Sequence, residues 1–245
     1  MRLLSYNIRF GGSRRRALIA DVIGSLDPDV VVLQEATEPP VVDWIARRVG
    51  MPNVVRRDDW SVAALARLPL TTRAWHRPRP GRGFLEIDSP EFPVRILGVH
   101  LTAGLTARGE RIRLREAERL VTLVGSAPKP SVVVGDFNSI APGDRVVVGR
   151  WPLWIRILLR VDGGIRHDVL RFLTGNGLVD TYRHLHPEDA GYTLPPRDPS
   201  VRLDYLLSTS DALPLVRACA PVLPGDEPLV IRASDHLPLL SVIDT

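Results

Sequence analysis

Six short apolar runs in this chain each carry, at or beside their end, a polar residue of a type that catalyses. They are Leu4-Ser5-Tyr6-Asn7, Val32-Leu33-Gln34-Glu35, Gly98-Val99-His100-Leu101, Gly135-Asp136-Phe137-Asn138, Arg202-Leu203-Asp204-Tyr205 and Ser234-Asp235-His236. The fourth is the most informative. Val132, Val133 and Val134 read as a buried strand, and Asp136 and Asn138, two residues apart, project to one side of an extended backbone. Gly135 lets the chain leave the strand in close packing, and Phe137 is free to point back into the core. Taken singly, each run has an ordinary explanation. Asn7 reads as a turn residue, Glu35 as the cap of a following helix, His100 as a core histidine and Asp204 as a partner of Arg202. Six in one chain are hard to explain as accident.

The 245 residues, 44% hydrophobic and 24% charged, describe a globular protein with a sizeable core. The chain reads as one mixed α/β domain over 1–245, because no internal repeat or Pro/Gly/Ser-rich linker divides it. Met1-Arg2-Leu3-Leu4 runs straight into a strand pattern with no leader, and no segment is long enough to span a bilayer, so a cytoplasmic monomer is expected. Cys219 is the single cysteine, which excludes a disulfide framework, and no Cys/His cluster has zinc spacing. A metal would therefore take oxygen ligands, which points to magnesium or manganese. The formal charge is +4, and of 32 basic residues only Lys129 is a lysine. That balance suits a phosphate-bearing partner without naming one.

Strand patterns occupy Arg2–Ile8, Val30–Gln34, Val54–Arg57, Ser61–Arg67, Leu70–His76, Gly83–Ile87, Val94–His100, Ser131–Val134, Leu203–Ser208, Pro214–Ala220 and Pro238–Val242. Helical patterns fall at Arg14–Ser25, with Ser13 as its expected N-cap, and at Pro39–Arg48, Arg108–Gly125 and Arg166–Gly175. Arg108–Gly125 reads as a charged surface helix with one apolar stripe through Ile112, Arg115/Glu116 and Arg119/Leu120. The segment Arg150–Val161 is apolar, carries Trp151 and Trp154, and is flanked by Arg150, Arg156 and Arg160. A helix packed on the core is the first expectation; a peripheral contact with a membrane through Trp151 and Trp154 is the second.

In their order along the chain, the six runs resemble the endonuclease/exonuclease/phosphatase superfamily, the DNase I-like metal-dependent phosphodiesterases. The resemblance extends from Asn7 to His236. It includes Ala66-Arg67-Leu68-Pro69-Leu70, similar to that family's Ser-Arg-x-Pro-Ile strand pair, and Gly191-Tyr192-Thr193 ahead of Arg202-Leu203-Asp204-Tyr205. It implies a four-layer αββα sandwich, two mixed β-sheets flanked by helices, with the site at one edge between them. From the resemblance Asp136 sits where a general base is expected, Asn138 would hold the phosphate, and His100 and Arg67 join it as substrate-binding candidates.

The chemistry accounts for the residue types. Hydrolysis of a phosphodiester needs an activated water, neutralised phosphoryl oxygens and help for the leaving oxygen. Glu35 is the leading ligand for a magnesium or manganese ion, Asp235 a second carboxylate, and Asn7 a residue to orient it or the metal-bound water. His236 and His100 donate to developing charge, and Asp204 would pair with His236, fix its tautomer and raise its pKa. Whether Asp136 or His236 takes the first proton is open at this level. The superfamily cuts nucleic acids, phospholipids and smaller esters, so the substrate stays open between a nucleic acid and a phospholipid head group. The Pro-x-Trp-x-Asp-Arg-Ile pattern of inositol polyphosphate 5-phosphatases and the Trp-Gly motif of abasic-site repair enzymes are both missing. A nuclease or general phosphodiesterase is the first reading and a sphingomyelinase-like enzyme using Arg150–Val161 the second. A catalytically inactive binding module comes third, since binding alone needs no such set of acids and histidines.

Overall fold

In the computed structural model, residues 1–77, 81–126 and 129–244 are described. The first half of the chain runs β1 (Arg2–Asn7), α1 (Arg16–Leu26), β2 (Val30–Gln34), α2 (Pro39–Arg48), β3 (Asn53–Val55), β4 (Val62–Ala66), β5 (Thr72–His76), β6 (Phe84–Asp88) and β7 (Arg95–His100). The second runs α3 (Ala107–Gly125), β8 (Ser131–Asp136), α4 (Leu153–Val161), α5 (Asp168–Gly175), β9 (Leu178–Asp180), α6 (Thr181–Leu185), β10 (Asp204–Thr209), β11 (Val216–Pro221), α7 (Val230–Ala233) and β12 (Leu239–Ile243). They form two mixed six-stranded sheets, ordered β11-β12-β1-β2-β4-β3 and β5-β6-β7-β8-β10-β9. This is the αββα arrangement that the resemblance implied.

The valine-rich runs are apolar on both sides because both sides of each strand are covered. Val30 and Val32 face a core between the sheets, shared with Ile96, Val132 and Val134. Their neighbours Val31 and Leu33 face α1, α2 and α7 on the outside. Leu97, Val99 and Val133 likewise meet α3 and α5 beyond the second sheet. A strand buried on both faces loses the apolar–polar alternation of a half-exposed one.

Each sheet holds one parallel pair at its centre. Parallel strands need a crossover, and α1 and α3 supply it, giving β1-α1-β2 and β7-α3-β8. In such a unit both strands end on the same edge. Asn7 lies opposite Gln34 in one register and His100 opposite Asp136 in the other. The antiparallel β10 begins at that edge, with Asp204 opposite Asp136. The crossovers thus explain why polar residues at the ends of distant runs arrive together.

Local expectations shift in several places. β8 runs two residues past Val134, so Asp136 is its last strand residue. Ser13 does not cap α1; it lies in a 3-10 turn, Phe10–Arg15, and its hydroxyl donates to Glu38 at 3.2 Å. The buried face of α3 carries Glu110, Arg113 and Glu116 beside Ala117 and Leu120, while Arg115 and Arg119 are exposed. Charged residues occupy this inner face because they are paired there, Arg113 with Glu110 at 2.7 Å. β9, α6 and α7 span three to five residues each, too short to leave a periodic signature.

Gly135 sits within β8 at φ 146°, where a Cβ would lie 2.0 Å from the Val99 carbonyl oxygen of the neighbouring strand. That strand pairing leaves the collision no room to relax. Gly135→Ala is expected to destabilise the protein by about 3 kcal/mol or more, measured by denaturant unfolding. Wild-type stability would mean that β7 and β8 are not packed this closely.

Candidate active site

Six strand-end segments meet at one edge of the sandwich, and the buried carboxylate of Asp136 is their meeting point. Its Oδ1 accepts from the Asn138 backbone N–H at 2.8 Å. Its Oδ2 accepts from the side-chain amides of Asn7 at 3.0 Å and Asn138 at 3.3 Å. The Asn7 contact joins the end of one sheet to the end of the other. Asn138 reaches this position through a left-handed backbone, φ 48°, and its amide also holds the Leu101 carbonyl at 3.0 Å. Phe137 between them is fully buried and meets Tyr205 edge-on at 5.5 Å.

His236 is tied in from the first sheet's side. Its Nδ1 lies 2.8 Å from Asp204 Oδ2, and both side chains are buried. Ligand atoms of Asp136, Asp204 and His236 all lie within 4.8 Å of one another. Thr193 sets this geometry from behind. Its hydroxyl accepts from the Leu203 and Asp204 N–H groups, and its carbonyl accepts from Leu237 N–H at 2.7 Å. Ser234 binds the Asn7 carbonyl at 2.6 Å and so ties the His236 loop to β1.

The two histidines are held in opposite protonation states. Burial works against charge on His236, but the Asp204 carboxylate, with its hydrogen bond, and Asp136 outweigh it and raise the pKa to about 10. His236 is thus an imidazolium at neutral pH. Burial lowers His100 to about 4, opposed by Asp136 and reinforced by the nearby Arg82 guanidinium and His236. The Arg82 guanidinium lies 2.9 Å from His100 Nδ1 and 3.1 Å from Nε2, and Nε2 is 3.8 Å from Asp136 Oδ2. Burial raises the Asp136 pKa, His236 lowers it, and Asp204 pushes it up again.

Glu35 and Asp235 stand at the more open margin. Glu35 has φ 54° and accepts from Phe10 N–H at 2.6 Å. Arg9 and Phe10 are also left-handed, a strained pair closing around the Glu35 carboxylate. Asp235 pairs with Arg9 at 3.1 Å. The donor set suits a hard divalent cation: one or two carboxylates on the open side, with room for waters and substrate oxygens, is the usual manner of holding magnesium. Glu35 and Asp235 are the residues expected from the sequence to hold it. The described residues whose ligand atoms cluster within 4.8 Å are Asp136, Asp204 and His236; of these, Asp204 is hydrogen-bonded to His236, and Asp136 to Asn7 and Asn138.

Two sequence expectations need correction. Arg67 is not at the site; it lies at the opposite end of β2, where its Nε donates to the Pro28 carbonyl at 2.9 Å and its guanidinium pairs with Asp27. β4 runs antiparallel to β2, which carries its last residues away from the catalytic edge. Asn7 does not reach toward Asp235: its Nδ2 is given to Asp136 and its Oδ1 accepts from Arg9 N–H at 3.0 Å. Asp204 pairs with His236 and not with Arg202, whose guanidinium is forked onto Asp144 and Asp180. Arg82 and Glu116 are the residues that sequence reasoning missed. Glu116 lies on α3 and binds the backbone of Arg82 and Thr102, holding the loops on both sides of His100. An acid inside an apolar helical stripe was its only signal.

A buried carboxylate, an Asp204–His236 pair and two more open carboxylates thus stand at one strand edge. Residues 4–236 match the model of the Endonuclease/Exonuclease/phosphatase family, and the chain belongs to that family, whose members hydrolyse phosphoester bonds and are generally dependent on divalent metal. Among solved structures it is similar to the 3′-5′ exonuclease NExo from Neisseria meningitidis, with 20% identity over 100% of both chains and a TM-score of 0.78. A 3′ phosphatase NExo from Neisseria bound to a product DNA hairpin aligns with 20% identity, 100% of both chains and a TM-score of 0.76. An AP endonuclease from Archaeoglobus fulgidus aligns with 18% identity, 100% of both chains and a TM-score of 0.78. At these identities the likeness is one of fold. No match is found among curated proteins.

The neutral His100 leaves a signature in stability. An exposed histidine titrates near pH 6.5, so between there and about 4 the unfolded chain binds a proton that the folded ring refuses. Folding stability therefore falls as pH drops through that window. In His100→Gln, with chelator present, the slope of unfolding free energy against pH should be shallower by up to about one proton. An unchanged slope would show that the ring is not held neutral.

Proposed function

We propose that the protein is a divalent-metal-dependent phosphodiesterase in which Asp136 accepts the proton of the attacking water while His236 donates to the phosphoryl group. The observation that carries this division is the buried Asp204–His236 hydrogen bond, 2.8 Å long, set within 4.8 Å of Asp136. An imidazolium locked against a carboxylate is a poor base and a good donor, which leaves Asp136 as the acceptor. His100, whose Nε2 is 3.8 Å from Asp136 Oδ2, is a second side chain placed to contact the phosphoryl group. Asn138 and Asn7 fix the Asp136 carboxylate so that its remaining lone pairs point one way. A magnesium or manganese ion held at Glu35 and Asp235 would neutralise phosphoryl charge and favour ionisation of water. The water oxygen bonds to phosphorus, its proton passes to Asp136, the bond from phosphorus to the ester oxygen breaks, and that oxygen takes up a proton from solvent.

For substrate, the first reading is a nucleic acid: the chain is basic, and a neighbour in fold binds a DNA hairpin. One observation favours a second, a phospholipid head group. A cavity of about 410 Å³ opens beside the site, walled by Ile140, Trp151, Ile155 and Leu159 and lined also by Asn138 and Asp235. Apolar walls beside a phosphoester site suit a substrate with an apolar part. A panel of plasmid DNA, abasic oligonucleotide, RNA and sphingomyelin under magnesium separates the two.

Asp136→Asn and His236→Gln should each lower turnover of bis-p-nitrophenyl phosphate by about 10²–10⁴ with folding retained. Wild-type rates in either purified variant would end this assignment. Glu35→Gln should shift the magnesium titration to higher concentration, and an unmoved titration would remove Glu35 from the metal site.

A further inference from the structure

The helix α4 is apolar on two faces, and only one has a partner. Leu159 is buried, and with Ile155 it walls the cavity beside the site. On the outer face Leu153 is 66% exposed, Trp154 65%, Ile157 54% and Val161 82%. At about 100° per residue these four fall within an arc of about 100°, a continuous stripe. The expected core-packed helix is thus only half realised: its inner face packs and its outer face does not. Among the described residues these are four of the six large apolar side chains that stand out as exposed.

Charge accompanies the stripe. Residues 145–161 contain four arginines and no acid. Arg156 and Arg160 lie on one flank of the stripe, and Arg150 precedes the helix. Arg150 pairs with the exposed Asp198 at 3.0 Å. Among the described residues Arg145, Arg156 and Arg160 have no carboxylate partner. A nine-residue helix is about 13 Å long and cannot span a bilayer. It fits the interface plane, with aliphatic and indole groups in the acyl boundary and guanidinium groups among phosphates.

We propose that the outer face of α4 docks on an anionic lipid surface and holds the catalytic edge against it. The proposal rests on the phosphodiesterase reading only for its consequence, since the docking itself needs no turnover. Other occupants fit less well. A nucleic acid would answer the arginines but leave Leu153, Ile157 and Val161 against water or phosphate. A second copy would bring like arginines together over a stripe of four residues, well short of the roughly 800 Å² per partner of a stable interface. The cavity adds continuity. It shares α4 with the stripe and Asn138 and Asp235 with the site, so a lipid met by the outer face has an apolar recess beside the reacting edge.

The test is flotation of the full-length protein with vesicles of phosphatidylglycerol and phosphatidylcholine, and of phosphatidylcholine alone, in chelator. Wild type should float with the anionic vesicles, less so with the neutral ones, and the double variant Trp154→Glu/Ile157→Glu should lose about tenfold or more of its partitioning. Both changed residues lie outside the cavity, and thermal unfolding checks that the variant is folded. Wild type that floats with neither vesicle, or a folded variant that floats as well as wild type, overturns the proposal. So does a wild type that binds duplex DNA instead, with that binding lost in the variant. Turnover of bis-p-nitrophenyl phosphate by the same wild-type preparation separates the two readings. Flotation without turnover sinks the hydrolase reading and leaves the docking; turnover without flotation does the reverse.

Discussion

Everything at the catalytic edge is arranged around one buried carboxylate. Asp136 takes hydrogen bonds from Asn7 of one sheet and Asn138 of the other, and faces two histidines of opposite charge state. A carboxylate withdrawn from water is costly unless its lone pairs are answered. Here the same bonds that offset burial also orient the group. The Asn7–Asp136 contact spans 129 residues of sequence and crosses between the sheets. Spacing the sheets differently would leave Asp136 buried without that partner, so core packing and chemistry depend on one distance.

The supporting charges follow the same logic. Arg202 is almost fully buried and is forked onto Asp144 and Asp180, with its guanidinium 4.4 Å from the Tyr205 ring centroid. Two residues on, Asp204 meets His236. Because Arg202 already has two carboxylates, Asp204 is left free for the histidine. Removing one partner of such a buried set leaves an uncompensated charge, which is why these pairs position the site more surely than they stabilise the fold. Glu116 does comparable work behind His100 by binding the backbone on either side of it.

Much of the fold was legible because its strands are buried on both faces. Runs such as Val30–Leu33 and Ser131–Val134 can hardly be anything else once Gly and Pro bound them. The strand-end polar residues were legible for a related reason: an Asp, Asn or His abutting such a run has no apolar role to play. Arg67 shows the limit. It also abuts a buried strand, but β4 runs antiparallel to β2, and only topology tells which end of a strand faces the site. Arg82 and Glu116 were illegible because their roles arise from contacts between elements far apart in sequence. The outer face of α4 was half legible. Its apolar composition was plain, while which face would be covered depended on packing that composition does not encode.

The proposed division of labour between Asp136 and His236 turns on Asp204. The most direct measurement is the pH profile of kcat/KM on a soluble phosphodiester under saturating magnesium, for wild type and Asp204→Asn. If Asp204 holds His236 protonated, the alkaline limb of the profile moves down in the variant by about one pH unit or more, while the acid limb, set by Asp136, moves less. An alkaline limb at the same pH in both proteins would contradict the assignment of His236 as the donor.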